Sequence, residues 1–146
     1  MKTQKIFIIA TILITMFIFG NSMLSAEHSN CEGDIVLVPI KKIFKATGGS
    51  QDLPDTAVVI VRKSAHLLEF TLQGFFLVGC FSGRFKKRII YVLFLGLMTA
   101  CIDEFIQLFP NGRSAMIQDV FIDFFGVNLG LFLAFIACKL KQKQCV

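Results

Sequence analysis

Residues 89–113 read "IIYVLFLGLMTACIDEFIQLFPNGR", and this stretch decides the fold. Its first twelve residues carry no charge and are apolar enough to enter a bilayer, yet the run closes on Asp103, Glu104 and Gln107. Length settles what kind of element it is: about 20 apolar residues are needed to cross a hydrocarbon core roughly 30 Å thick. The stretch from Ile89 to Phe109 meets that length only if the acids lie within it, near one boundary.

Three further runs share this character: Ile6 to about Leu24, Thr56 to Ser82, and Ile117 to Cys138. Together they predict an all-α integral membrane protein with four transmembrane helices, in a single domain spanning residues 1–146. Composition agrees. Of 146 residues, 55% are hydrophobic and 17% charged, with a mean hydropathy of +0.71, which excludes an ordinary soluble domain. The formal charge of +5 comes from clusters flanking apolar runs, and no nucleic-acid-binding motif accompanies them. Five cysteines, an odd number without a C-x-x-C pair, supply neither a disulfide framework nor a thiolate zinc site.

The first run follows "MKTQK" and has the form of either an anchor or a secretory signal. A cut after Ala26 would leave Leu24 at a position that prefers a small residue, which favours a retained helix. Basic residues set the expected orientation. "GRFKKR" (residues 83–88), "KLKQK" (139–143) and the Lys2/Lys5 end all belong on the cytoplasmic side, and an even number of crossings satisfies the three together. Residues 25–55 are then external. Within them Ile40, Ile43, Phe44 and Thr47 share one helical face, between Pro39 and Gly48-Gly49, which predicts a short amphipathic helix.

Helical rise gives the depth of the polar groups. Measured from the cytoplasmic turns, Glu69 and Asp103 lie at about 21 Å and Asp123 at about 24 Å; His66, Gln107 and Asp119 lie a few ångströms further out, at about 26 to 30 Å. Arg62 and Arg113 come near the outer surface. Arg62, His66, Glu69 and Gln73 follow an i, i+4, i+7, i+11 stripe, while Asp103/Gln107 and Asp119/Asp123 are i, i+4 pairs. Each helix therefore turns one polar face toward the others. Five of the ten acids (Glu69, Asp103, Glu104, Asp119 and Asp123) converge on one outer region. Such groups at membrane depth cost several kcal/mol unless paired or wet. Shared protons, a bound cation or the arginines must compensate them.

"RKSAHLLEF" (62–70) and "DEFIQLFPNGRSAMIQDVFIDFFGVNLG" (103–130) resemble the VanZ-like family of bacterial membrane proteins. The resemblance lies in R-K-x-A-H-x-x-E-[YF], D-E-x-x-Q-x-x-x-x-x-R and D-V-x-I-[ND]-x-x-G-x-x-x-G, in that order, and extends over nearly the whole chain. It implies a multi-pass protein of the bacterial cytoplasmic membrane, and an envelope role like the teicoplanin resistance associated with the family's eponym. Carried over by motif, its residues are Arg62, Lys63, His66 and Glu69, then Asp103, Glu104, Gln107 and Arg113, then Asp119, Asp123, Gly126 and Gly130. Pro110-Asn111-Gly112 is one residue longer than the usual proline-glycine, and Asp123 stands where Asn is common.

Three functions follow from these residues. One is an outward-facing pocket for a membrane lipid or lipid-linked wall precursor, with Arg62, Gln107, Arg113, Asp119 and Asp123 binding it. A second is a metal-dependent membrane enzyme, with His66, Glu69, Asp103 and Asp123 around a divalent cation, and Glu104 as general acid or base. His66, Glu69, Asp103 and Glu104 are then the catalytic candidates. The third is a non-enzymatic adaptor or proton-coupled carrier; four short helices make a thin carrier unless the chain forms an oligomer. The close-packing step Gly126-x-x-x-Gly130 belongs to helix contact in all three.

Overall fold

The computed structural model describes residues 2–23, 42, 55–83, 85–110 and 116–143. They form four helices and no strand: α1 (Lys2–Ser22), α2 (Asp55–Cys80), α3 (Phe85–Ile106) and α4 (Ile117–Lys143). The expected amphipathic helix within residues 39–49 lies outside the described residues apart from Lys42. Three helices contain segments long and apolar enough to cross a membrane: Lys2–Ser22, Lys86–Ile106 and Ile117–Leu140. In α2 the run is diluted by Arg62, Lys63, His66, Glu69 and Gln73.

The ends depart from the apolar runs by a few residues, because backbone hydrogen bonding continues into the basic flanks at Lys2, Lys86 and Lys139. At its other end α3 stops short, at Ile106. Leu108 and Phe109 there donate to the carbonyls of Phe105 and Ile106, three residues back, as the chain approaches Pro110.

The helices run up-down-up-down, and polar contacts at both ends of α1 set it antiparallel to α2. Near its start Gln4 Nε2 donates to the Cys80 carbonyl (2.8 Å), and near its end Asn21 Nδ2 donates to Glu69 Oε1 (3.1 Å). Between them Gln73, nearly fully buried, donates to Thr15 Oγ1 (2.9 Å). Only Ile18 and Ser22 of α1 are buried. This helix is held by interhelical hydrogen bonds and by the packing of Phe7 against Gly79 and Phe76, the expected glue where lipid supplies no hydrophobic drive.

The tightest contact is between α2 and α4. A methyl group on Gly126 would lie 2.7 Å from the Leu67 carbonyl oxygen, and one on Gly130 would overlap the backbone of Thr71 and Phe75. Only hydrogen lets the two backbones approach this closely. Phe70, Val92, Ala100 and Val127, all fully buried, fill the centre. Outside it Phe94, Phe105, Phe121, Phe125 and Phe132 are more than half exposed on the bundle's flanks. An apolar belt of this extent suits lipid rather than water.

The α2–α3 turn hinges on Gly83, whose φ of 103° is a left-handed conformation. Its carbonyl accepts hydrogen bonds from Arg88 Nε (2.9 Å) and Nη2 (2.6 Å), which clamps the turn. A Cβ at Gly83 meets no neighbour, so Gly83→Ala isolates the backbone term. We expect a loss of about 1–2 kcal/mol, read from equilibrium unfolding in mixed micelles; an unchanged midpoint would contradict it.

Candidate polar cavity

The up-down course brings the first half of α2, the last turns of α3 and the first turns of α4 to one end of the bundle, opposite Gly83. A cavity of about 250 Å³ opens there. Arg62, Lys63 and His66 line it from α2, Glu104 and Gln107 from the α3 end, and Asp119 and Asp123 from α4. Val59, Met116 and Ile122 supply its apolar wall.

Helical spacing explains the layering. Asp119 sits in the first turn of α4, where a carboxylate faces the positive end of the helix dipole. It accepts a 2.6 Å hydrogen bond from Lys63 Nζ; both partners are half-buried. One turn deeper Asp123 is almost wholly buried. Asp103, fully buried, lies beneath the lining: its Oδ2 is 3.7 Å from His66 Nδ1 and accepts a 2.9 Å hydrogen bond from Gln107 Nε2. Oδ1 of Asp123 is 4.0 Å from the same His66 nitrogen. His66, Asp103 and Asp123 are also the one group among the described residues whose metal-ligating atoms all fall within 4.8 Å of one another.

Glu104 has a different role from its neighbour in sequence. Its Oε2 accepts the Met116 backbone N–H (2.8 Å), which ties the end of α3 to the start of α4 across the intervening loop. Glu69, although on the same stripe as His66, turns its Oε1 toward Asn21 of α1 and does not join the three-residue group. Arg113 falls outside the described residues.

Two contributors, Asn21 and Ser22, are not among the residues that the sequence singles out, and a third, Lys63, is singled out there only as part of the R-K-x-A-H-x-x-E motif, with no partner assigned. Lys63 lines the cavity and pairs with Asp119. Asn21 and Ser22 bring α1 into the same polar layer, Ser22 Oγ accepting a 3.5 Å contact from Gln107 Nε2. The signal for the latter two is the interruption "GNS" (residues 20–22) at the end of an otherwise apolar helix, opposite in level to Glu69 and Gln107. Lys63 is visible too, as the cation one residue from Arg62, but its partner depends on the rotation of α4.

The architecture, then, is a membrane protein with multiple spans and a polar chamber at one end of its bundle. No curated protein and no solved structure matches the chain. The family model described as VanZ/LLP1 matches residues 7–138, which takes in nearly the whole chain and every candidate site residue named above. The chain belongs to the VanZ/LLP1 family.

Proposed function

We propose that this chain is a cell-envelope protein of the bacterial cytoplasmic membrane whose cavity binds the anionic head of a lipid or lipid-linked wall component. In this reading α2 crosses the membrane as well, its polar stripe turned inward, and α1 is retained. Both termini and the Gly83 turn face the cytoplasm, where Lys2, Lys5, Lys86, Lys87, Arg88 and Lys139 cluster. The cavity then opens at the outer headgroup level.

The observation that carries this reading is the pairing of Arg62 and Lys63 on the lining of a polar cavity walled by apolar helices. Both line the same cavity, Lys63 already holding the Asp119 carboxylate, and a guanidinium and an ammonium there suit phosphate or carboxylate oxygens. Size points the same way. At about 250 Å³ the cavity is smaller than the roughly 300–1,000 Å³ of pockets that enclose whole small molecules. It holds a polar head while acyl or prenyl chains lie along the exposed phenylalanine belt.

Photocrosslinking tests this in native membranes, using a diazirine phosphatidylglycerol and a diazirine polyprenyl phosphate. We expect an adduct with one of the two that falls about tenfold or more in Arg62→Gln, the equivalent of one lost charge-assisted contact. The probe that reacts tells a bulk lipid from a lipid-linked carrier. No adduct with either, from protein present at normal levels in the membrane, would remove the reading.

A further inference from the structure

Three helices each bring one ligand-type group to within 4.8 Å of the others at the base of the cavity: His66 from α2 and Asp123 from α4 on its lining, and Asp103 from α3 just beneath it. The His66 nitrogen stands 3.7 Å and 4.0 Å from its two carboxylate oxygens, beyond hydrogen-bond reach. A tetrahedral ion with bonds of about 2.1 Å holds its donors about 3.4 Å apart. The two His66 distances are therefore a few tenths of an ångström wider than an ion would draw them, and all three donor atoms lie within 4.8 Å of one another.

A second observation points to a ligand independently. Asp123 is 1% exposed and lines the cavity, yet among the described residues its Oδ2 has no hydrogen-bond partner. A carboxylate oxygen so deeply buried without a donor is costly. Glu104, 5% exposed and on the same cavity, leaves its Oε1 in that state as well. A divalent cation removes the first cost directly. Its two charges neutralise Asp103 and Asp123 and relieve their mutual repulsion, and a grip on both oxygens of Asp123 takes in Oδ2 along with the Oδ1 that faces His66.

The donor set narrows the choice of ion. One imidazole with two carboxylates and no thiolate suits borderline or hard divalent ions such as Mn²⁺ and Zn²⁺. Gln107, donating to Asp103 Oδ2, holds that carboxylate in place from behind, as the outer partners of metal ligands do.

We propose that His66, Asp103 and Asp123 form a binding site for one Mn²⁺ or Zn²⁺ ion at the floor of the cavity, with the ion's remaining coordination positions facing the cavity. The site needs only these three side chains, so it stands or falls separately from the headgroup reading.

The full chain in lipid nanodiscs, stripped with a chelator and titrated with Mn²⁺ against empty nanodiscs, decides the matter by electron paramagnetic resonance. The expected result is one bound Mn²⁺ per chain, displaced by Zn²⁺, with a ¹⁴N coupling from a directly bonded imidazole in the pulsed spectrum. Asp103→Asn and Asp123→Asn should each weaken binding about tenfold or more, and His66→Gln should abolish the ¹⁴N coupling. Ser64→Ala, on the exposed side of α2, should bind as the parent does. No Mn²⁺ above the nanodisc blank, or bound Mn²⁺ without nitrogen coupling, would overturn the proposal. So would affinity unchanged in both aspartate variants. If the variants do not fold, the stoichiometry and nitrogen coupling of the parent chain decide alone.

Discussion

Gly130→Leu is expected to lower the stability of the bundle by about 3 kcal/mol, at the upper end of the usual 1–3 kcal/mol for overpacking, and to dismantle the cavity with it. The reason is what the new side chain would strike. A Cβ there overlaps the Thr71 carbonyl and comes within 2.7 Å of the Phe75 backbone nitrogen. Backbone cannot rotate aside as a side chain tip can, so α2 and α4 must move apart. Because α2 carries His66 and α4 carries Asp119 and Asp123, separation at Gly130 opens the polar layer two turns away. Equilibrium unfolding in mixed micelles measures the loss. Gly20→Leu is the matched control: nothing lies within 4 Å of a Cβ at Gly20, and its effect should stay within about 0.5 kcal/mol. Equal losses in the two variants would mean that close approach of α2 and α4 is not what holds the bundle.

The second large effect is on envelope function. Expressed in a teicoplanin-sensitive Gram-positive host, the chain is expected to raise resistance, and Glu69→Gln and Asp103→Asn at equal membrane levels to return it to the host's own value. Both changes preserve shape and remove only charge. Gln at position 69 still offers an oxygen to Asn21, and Asn at position 103 still offers one to Gln107. What each loses is a charge-assisted interaction, about 1.5–3 kcal/mol or roughly 10- to 100-fold in affinity. Resistance that survives both variants would show that the buried charges serve the bundle alone. No resistance from the parent chain would show that the phenotype of the family's eponym does not extend to this member, and the crosslinking experiment would then carry the functional question.

Much of the bundle is legible in the amino-acid sequence. The apolar runs mark four helices to within a few residues, since bilayer-length hydrophobic stretches are a strong one-dimensional signal. Rise per residue puts Glu69, Asp103 and Asp123 at one level and His66 a few ångströms further out, whereas the structure gathers His66, not Glu69, with the two aspartates. Level is not contact, however. Glu69 sits only three residues from His66, on the same face by spacing, and yet bonds to Asn21 of α1 while His66 turns to Asp103 and Asp123. A small rotation about the α2 axis separates the two outcomes. The Glu104 carboxylate shows the same limit from the other side: adjacent to Asp103 in sequence, it points about 100° away around the helix and ties the backbone at Met116 instead.

The sequence by itself determined the elements, their length, their polar faces and the end of the bundle where the acids collect, because helical period and hydropathy act locally along each segment. Tertiary structure alone decided which polar groups became partners. Helix rotation is set by the Gly126 and Gly130 contact with the α2 backbone and by the interhelical bonds of α1. Those packing terms join residues on different helices, far apart in the chain, so no local pattern encodes them.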